Sequence, residues 1–145
     1  MIVSLPPAVR RALVAHARRD RPHECCGLLI GRGSRIDFAC SLANVAATPA
    51  TRYRVDDAAH LEVRRVLRRL APPLDIVGVY HSHPSGPARP SERDLREAHY
   101  PGWIHLIVGF RGERALIYAC RIRRGRAQPL RIVPAAASAP RGGRS

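Results

Sequence analysis

Lysine is missing from the sequence altogether. All 25 basic side chains are arginine, set against 11 acidic ones, for a formal net charge of +14. Arg121, Arg123, Arg124, Arg126, Arg131, Arg141 and Arg144 all follow Cys120, with no acidic residue among them. Such a surface fits an anionic partner, either nucleic acid or an acidic protein. It equally fits an arginine-biased codon usage on a solvated surface. Aromatic residues are only 5% of the chain, too few for an evident base-stacking platform. Nucleic acid is therefore set aside as a partner, and an acidic protein is left open. No apolar run is long enough to cross a bilayer, so no membrane association is expected. The N-terminus lacks a basic segment followed by an apolar one, so it does not read as a secretory signal, and a cytoplasmic location is expected. The four cysteines, Cys25, Cys26, Cys40 and Cys120, form no CxxC pair, which argues against a cysteine zinc site. None has an evident local base, and Cys25 and Cys26, adjacent in an apolar run, read as small buried hydrophobes in a reducing compartment.

What is present suits one folded domain. The chain has 145 residues and is 46% hydrophobic, enough for a single core. Residues 4–20 read as a helix, opened by Pro6 and Pro7 and carrying Val9, Leu13, His16 and Ala17 on one face. His16 at the edge of that face reads as structural. Residues 24–31 and 36–43 read as a hairpin, 44–51 as loop, and 53–55 as a short strand. Residues 56–70 form the clearest helix, with an apolar stripe of Ala59, Val63, Val66, Leu67 and Leu70. Asp56 and Asp57 open it and Arg64, Arg65, Arg68 and Arg69 close it, an order that complements the helix dipole. Residues 75–83 read as an apolar strand ended by Pro84, 91–99 as a short helix, and 103–110, 114–122 and 128–133 as three more strands. The order implies an α/β sandwich with a mixed sheet over residues 1–133. Residues 134–145 read as a flexible Ala/Pro/Gly/Arg tail, its Arg141-Gly142-Gly143 included.

The segment HSHPSGPARPSERD carries the functional argument. Residues i and i+2 of a strand point to the same side, so His81 and His83 present both imidazoles to one face at the strand's exit. Asp94 follows one turn into a helix that can fold back over the Pro/Gly loop. Two imidazoles and one carboxylate suit zinc, and three protein ligands leave a fourth position for water, the mark of a catalytic site. Taken alone, two histidines at a strand end can simply be solvated, and Ser91-x-x-Asp94 fits an N-capping box without any metal. The two motifs joined by a returning loop are far more specific. Zinc lowers the pKa of its water and polarises a carbonyl, and a separate base must then move the proton. Glu24, at the mouth of the first strand of the hairpin, is available. Its simpler reading is an exposed acid beside His23.

Glu24, His81-Ser82-His83-Pro84, Ser91 and Asp94 together match E…H[ST]HP…S-x-x-D. The chain thereby resembles the JAMM (MPN-plus) metallopeptidases of the Mov34/MPN/PAD-1 superfamily. PHECCGLLIG, the YRVD stretch and GVYHSHPSG…PSERD look like the bacterial and archaeal branch, over residues 1–133. The resemblance implies a cytidine-deaminase-like sandwich, a mixed curved sheet with a long helix on one side and shorter helices on the other. It implies zinc on His81, His83 and Asp94, Glu24 as general acid/base, and Ser91 as a hydrogen-bond donor to the zinc water or the developing oxyanion. The implied reaction is peptide or isopeptide hydrolysis after the C-terminal Gly-Gly of a ubiquitin-like or sulfur-carrier protein. The short stretch between Asp94 and Trp103 has no room for the insertion of polyubiquitin-specific members. Two alternatives remain: a non-catalytic ubiquitin-like-binding module, and a DNA-associated protein like the RadC proteins. Oligomeric state is left open, a homodimer included.

Overall fold

The structure, a computed structural model, describes residues 1–134. The tail read beyond Pro134, with Arg141-Gly142-Gly143, lies outside the described residues. Seven strands form one closed sheet, β1 (Ile2–Ser4), β2 (Cys26–Arg32), β3 (Arg35–Leu42), β4 (Asp75–Ser82), β5 (Ile104–Arg111), β6 (Arg114–Arg123) and β7 (Arg126–Val133). Their order around the barrel is β1-β3-β2-β4-β5-β6-β7. Three helices accompany them, α1 (Pro7–Asp20), α2 (Asp57–Leu67) and α3 (Glu92–Glu97).

The mixed sheet expected from sequence is present and closes into a barrel, with β1 completing the circuit. Residues from Ser4 onward read as helix, yet Ile2–Ser4 is a strand that pairs in parallel with β7 and touches β3 at Arg35. A strand of three residues is too short to show a period of two, so nothing in the local pattern announces it.

β4 and β5 are parallel neighbours, covered on both faces, and their sequences are accordingly near-continuous apolar runs. One face meets α1. Val9, Leu13 and Ala17 of α1 join Leu29, Tyr80, Ile104, Leu106 and Val108 in the main core. α1 touches β3 and β5, so it crosses the inner side of β2 and β4, which lie between them. His16 is buried there with Nδ1 2.7 Å from the Tyr80 hydroxyl and Nε2 3.1 Å from Asp20, the structural role its position implied. The opposite face carries Leu28, Val79, His81 and His105, and α2 packs against β4 on this side.

α2 is shorter than its sequence pattern suggested, ending at Leu67. Asp56 caps it, its side chain accepting from Ala59 N at 3.1 Å. Its apolar stripe faces Ile30, Phe38, Cys40 and Leu42 across an apolar groove of about 450 Å³. No α2 residue is fully buried, so the stripe does not make the tight contact its spacing implied. The arginines at its end make local contacts, Arg64 donating to His60 and Arg65 to Glu62, as a helix terminus rather than a binding patch.

Candidate metal centre

The site lies at the carboxyl end of β4, where three segments converge. β4 runs antiparallel to β2 with His81 opposite Cys26. Continuing that register sets Glu24 across from His83, as cross-strand neighbours on one face. Ser82, between the two histidines, points to the other side and is fully buried. Its Oγ accepts from Cys25 N at 2.8 Å and its own N–H donates to Cys25 O at 3.1 Å. This double bond locks the residue after Glu24 to the residue between His81 and His83. His83 N donates to Val108 O at 2.8 Å, so extended geometry persists past the end of β4.

The loop after His83 folds back over β5. Phe110 N donates to Gly86 O, and a Cβ on Gly109 would collide with the backbone of Pro87 and Ala88. Glycine at 109 is thus what lets the loop lie this close. The loop turns Pro87 O toward His83 Nδ1, at 2.9 Å; a neutral imidazole donating there carries its lone pair on Nε2, whereas the protonated ring donates from both nitrogens. Arg21 braces the loop from outside. Its guanidinium sits 3.8 Å from the centre of the Phe110 ring and donates to Pro84 O at 3.2 Å.

α3 then delivers the carboxylate. Ser91 caps it with a full capping box, Ser91 Oγ accepting from Asp94 N at 3.1 Å and Asp94 Oδ2 accepting from Ser91 N at 2.9 Å. The same Oδ2 lies 3.2 Å from His81 Nε2 and 3.1 Å from His83 Nε2. The two Nε2 atoms are themselves 3.1 Å apart. Three donor atoms therefore form a nearly equilateral triangle. A tetrahedral ion bound at about 2.0–2.1 Å from each ligand needs edges of roughly 3.3 Å, so the triangle fits such an ion almost as it stands. Two neutral imidazoles and a carboxylate are also a donor set that first-row divalent metals accept. His81 Nδ1 is buried without a partner among the described residues, and the Tyr53 ring stacks on the His81 ring at 4.3 Å.

Glu24 also brings a carboxylate oxygen within 4.8 Å of ligating atoms of both histidines. Two acids thus compete for the third ligand position, and their environments separate them. Burial pushes the Asp94 carboxyl up, but the hydrogen bonds from His81 and His83 overcome it and hold the group well below the usual carboxylate range. Asp94 is an anion already committed to the triangle. Glu24 is only 6% exposed, so it is not the surface acid its position beside His23 suggested. Burial pushes its pKa up to about 7, with His83 opposing the shift and Asp94 adding to it. A carboxyl poised there suits proton transfer near neutral pH better than permanent ligation. Ser91 is exposed at the mouth, and its hydroxyl, having accepted one bond, still has an O–H to donate.

A cleft of about 780 Å³ leads away from Asp94 between the loop from Val45 to Val55 and the segment from Arg93 to Trp103. Tyr100 and Trp103 stack in its wall at 3.9 Å, with His60 beside them. His105 lines its floor with Nε2 buried and unpartnered among the described residues. Sequence reasoning missed Tyr53, Asn44, Gly109 and Arg21. Cys25 and Cys26 are buried as expected, as is Cys120, whereas Cys40 is only half-buried; burial raises Cys25 to about 11, and Cys26 and Cys120 to about 12, which leaves those three inert as nucleophiles.

A strand-end HxH, a capped helix returning a carboxylate and a buried glutamate across the sheet define a metallopeptidase-type site. Residues 6–122 match the family model described as prokaryotic homologs of the JAB domain, and the chain belongs to this family, the prokaryotic branch of the JAMM metallopeptidases. It is 35% identical over 117 residues to a probable TtuB-protein conjugate cleaving protease of Thermus thermophilus, covering 81% of this chain and 76% of that protein. It is 39% identical over 102 residues to the CysO-cysteine peptidase of Mycobacterium tuberculosis, covering 69% of this chain and 68% of that protein. Among solved structures, protein DSY2949 from Desulfitobacterium hafniense superposes with a TM-score of 0.82 at 27% identity, covering 94% of each chain.

Proposed function

We propose that this protein is a zinc-dependent peptidase or isopeptidase that hydrolyses the bond after the C-terminal Gly-Gly of a ubiquitin-like, sulfur-carrier protein. His81, His83 and Asp94 hold the zinc. The observation that carries the reading is the triangle of Nε2, Nε2 and Oδ2 atoms with edges of 3.1, 3.1 and 3.2 Å beside a buried glutamate. The named activities of the Thermus and Mycobacterium relatives support the substrate class. We also read the fold as the cytidine-deaminase-like sandwich of that superfamily, curled until its edges meet, and the compartment as cytoplasm. Among the described residues no helix is long and apolar enough to cross a membrane.

Zinc bound there supplies Lewis acidity, to the scissile carbonyl and to the attacking water. Glu24 takes the proton of that water as attack proceeds and returns it to the leaving amine as the bond breaks. Its raised pKa serves both halves, because the group must be a base first and an acid second. The Ser91 O–H donates to the oxygen on which charge develops, while its lone pair keeps α3 capped. The cleft beside Asp94 receives the polypeptide that approaches the site.

The test is a carrier-protein fusion bearing a residue after Gly-Gly, followed by mass spectrometry, with zinc content measured in parallel. Glu24→Gln is expected to keep zinc and lose ~100-fold or more in rate. Asp94→Ala is expected to lose both. Wild-type cleavage by both variants, or a purified protein that binds the carrier without zinc and without cleavage, overturns the reading, the second in favour of a non-catalytic module.

A further inference from the structure

We infer that Asn44 is a positioning residue for Glu24, and that through it the wall of the cleft and the acid/base are held as one unit. The inference rests on the reading of Glu24 given above. Asn44 lies just past β3, far from Glu24 in sequence, yet its side chain uses its full hydrogen-bonding capacity at one junction. Nδ2 donates to Glu24 O at 3.0 Å and to Arg52 O at 2.9 Å. Oδ1 accepts from Ala46 N at 3.1 Å and from Arg54 N at 3.0 Å. An amide offers two N–H donors and two lone pairs, so one side chain satisfies four backbone groups. The loop closes on Glu24 a second time, Glu24 N donating to Pro49 O at 2.8 Å. Both backbone polar groups of Glu24 are therefore held by the segment that begins at Asn44.

That segment is also the cleft wall. Val45, Ala46, Thr51, Arg52, Tyr53 and Arg54 line the cleft, and Tyr53 stacks on His81. Its far side is tied to α3, Arg93 donating to Thr51 O and Arg52 pairing with Glu97. The metal triangle is set mainly by other bonds. His81 and His83 are set by β4 and β5, and Asp94 by Ser91. Loss of Asn44 thus moves the acid/base while leaving the ligands in place. A misplacement of about 1 Å can cost on the order of 100-fold in rate.

Asn44→Asp separates the two halves of the side chain. It keeps an acceptor for Ala46 N and Arg54 N and replaces the donor with an oxygen facing two carbonyls. Expected is a fall in kcat of ~10-fold or more, with zinc affinity, by chelator competition, within about threefold, the ordinary scatter between independent sites. The Glu24 amide is expected to exchange its hydrogen faster, in metal-free protein as well. In the Glu24→Gln background the same substitution should cost nothing further, since two groups that act as a unit are strongly non-additive. Asn44→Gln, which keeps the amide but lengthens its reach, should reproduce the kcat loss and serves if Asn44→Asp does not fold. An equal loss in both backgrounds, or zinc affinity falling in step with kcat, overturns the inference and leaves Glu24 in its role. Glu24→Gln at wild-type rate overturns the acid/base reading and this inference together.

Discussion

The chemistry of the site turns on two carboxyls with opposite surroundings. Asp94 faces two imidazoles and is held ionised, whereas Glu24 faces a buried wall and is pushed up to about 7. Such divergence is the signature of divided labour between acids. It has a thermodynamic cost for Glu24. Its ordinary value is 4.5, so the folded pKa lies above the unfolded one. For an acid this means the folded state binds the proton more tightly, and stability is lost as pH rises from about 4.5 to about 7, with the full penalty above it. Glu24→Gln removes the penalty. In metal-free protein at pH 8 the variant is expected to melt higher than wild type by ~5–10 °C, for a difference on the order of 3 kcal/mol. At pH 4, where both states hold the proton, the two should melt together, as a pair of calorimetric scans would show. Equal melting at pH 8 would mean that Glu24 carries no burial strain.

At the scale of elements, α3 is six residues long and too short to stand without its cap. On the proposed mechanism Ser91 therefore has two tasks, holding Asp94 against the histidines and donating to the reacting oxygen, and substitution can separate them. Ser91→Ala should lose the cap, worth ~1 kcal/mol, and weaken both zinc affinity and kcat. Ser91→Asp keeps a capping acceptor but has no O–H, so it should recover zinc binding and leave kcat low. Ser91→Thr should recover both. Recovery of kcat by Asp would remove the oxyanion role. Gly109→Ala tests the neighbouring element. Its Cβ would strike the Pro87–Ala88 backbone and push Pro87 O away from His83 Nδ1, with an expected loss of ~10–100-fold in zinc affinity. These two elements also show why the site was only partly legible. His81 and His83 could be read because a strand has a period of two, and Ser91 and Asp94 because a capping box spans one helical turn. Glu24 needed family likeness, since its partners lie in β4 and α3. Asn44 and Gly109 are ordinary loop and strand residues until tertiary contacts give them a task. Likewise α2 showed its stripe plainly, but the groove beneath it depends on how far the helix stands from β2 and β3. No pattern within α2 encodes that distance.

At the scale of the molecule, the proposed ligands join parts of the chain that the barrel alone holds loosely. β4 belongs to the closed sheet, whereas α3 makes few contacts and reaches the sheet chiefly through Asp94 and through Arg93 and Glu97 to the cleft wall. The +14 charge adds to this, because a chain with more than twice as many arginines as acids repels itself. Each carboxylate drawn into the site is one fewer available to neutralise arginine nearby. On the proposed reading a zinc ion held by His81, His83 and Asp94 would bind the folded state and not the unfolded one, and would stabilise by RT ln(1 + [Zn]/Kd), about 2.7 kcal/mol at a hundred times Kd. For a chain of this size that is ~5–10 °C in melting temperature. Chelation should lower the transition by that amount, and equimolar zinc should restore it. Asp94→Ala should melt near the chelated wild type and respond to neither treatment, while Glu24→Gln should respond as wild type does. A wild-type transition that ignores chelator and zinc alike would show that the triangle, however well its edges match, is held by hydrogen bonds alone. A zinc shift that vanishes in Glu24→Gln but survives in Asp94→Ala would exchange the roles of the two acids.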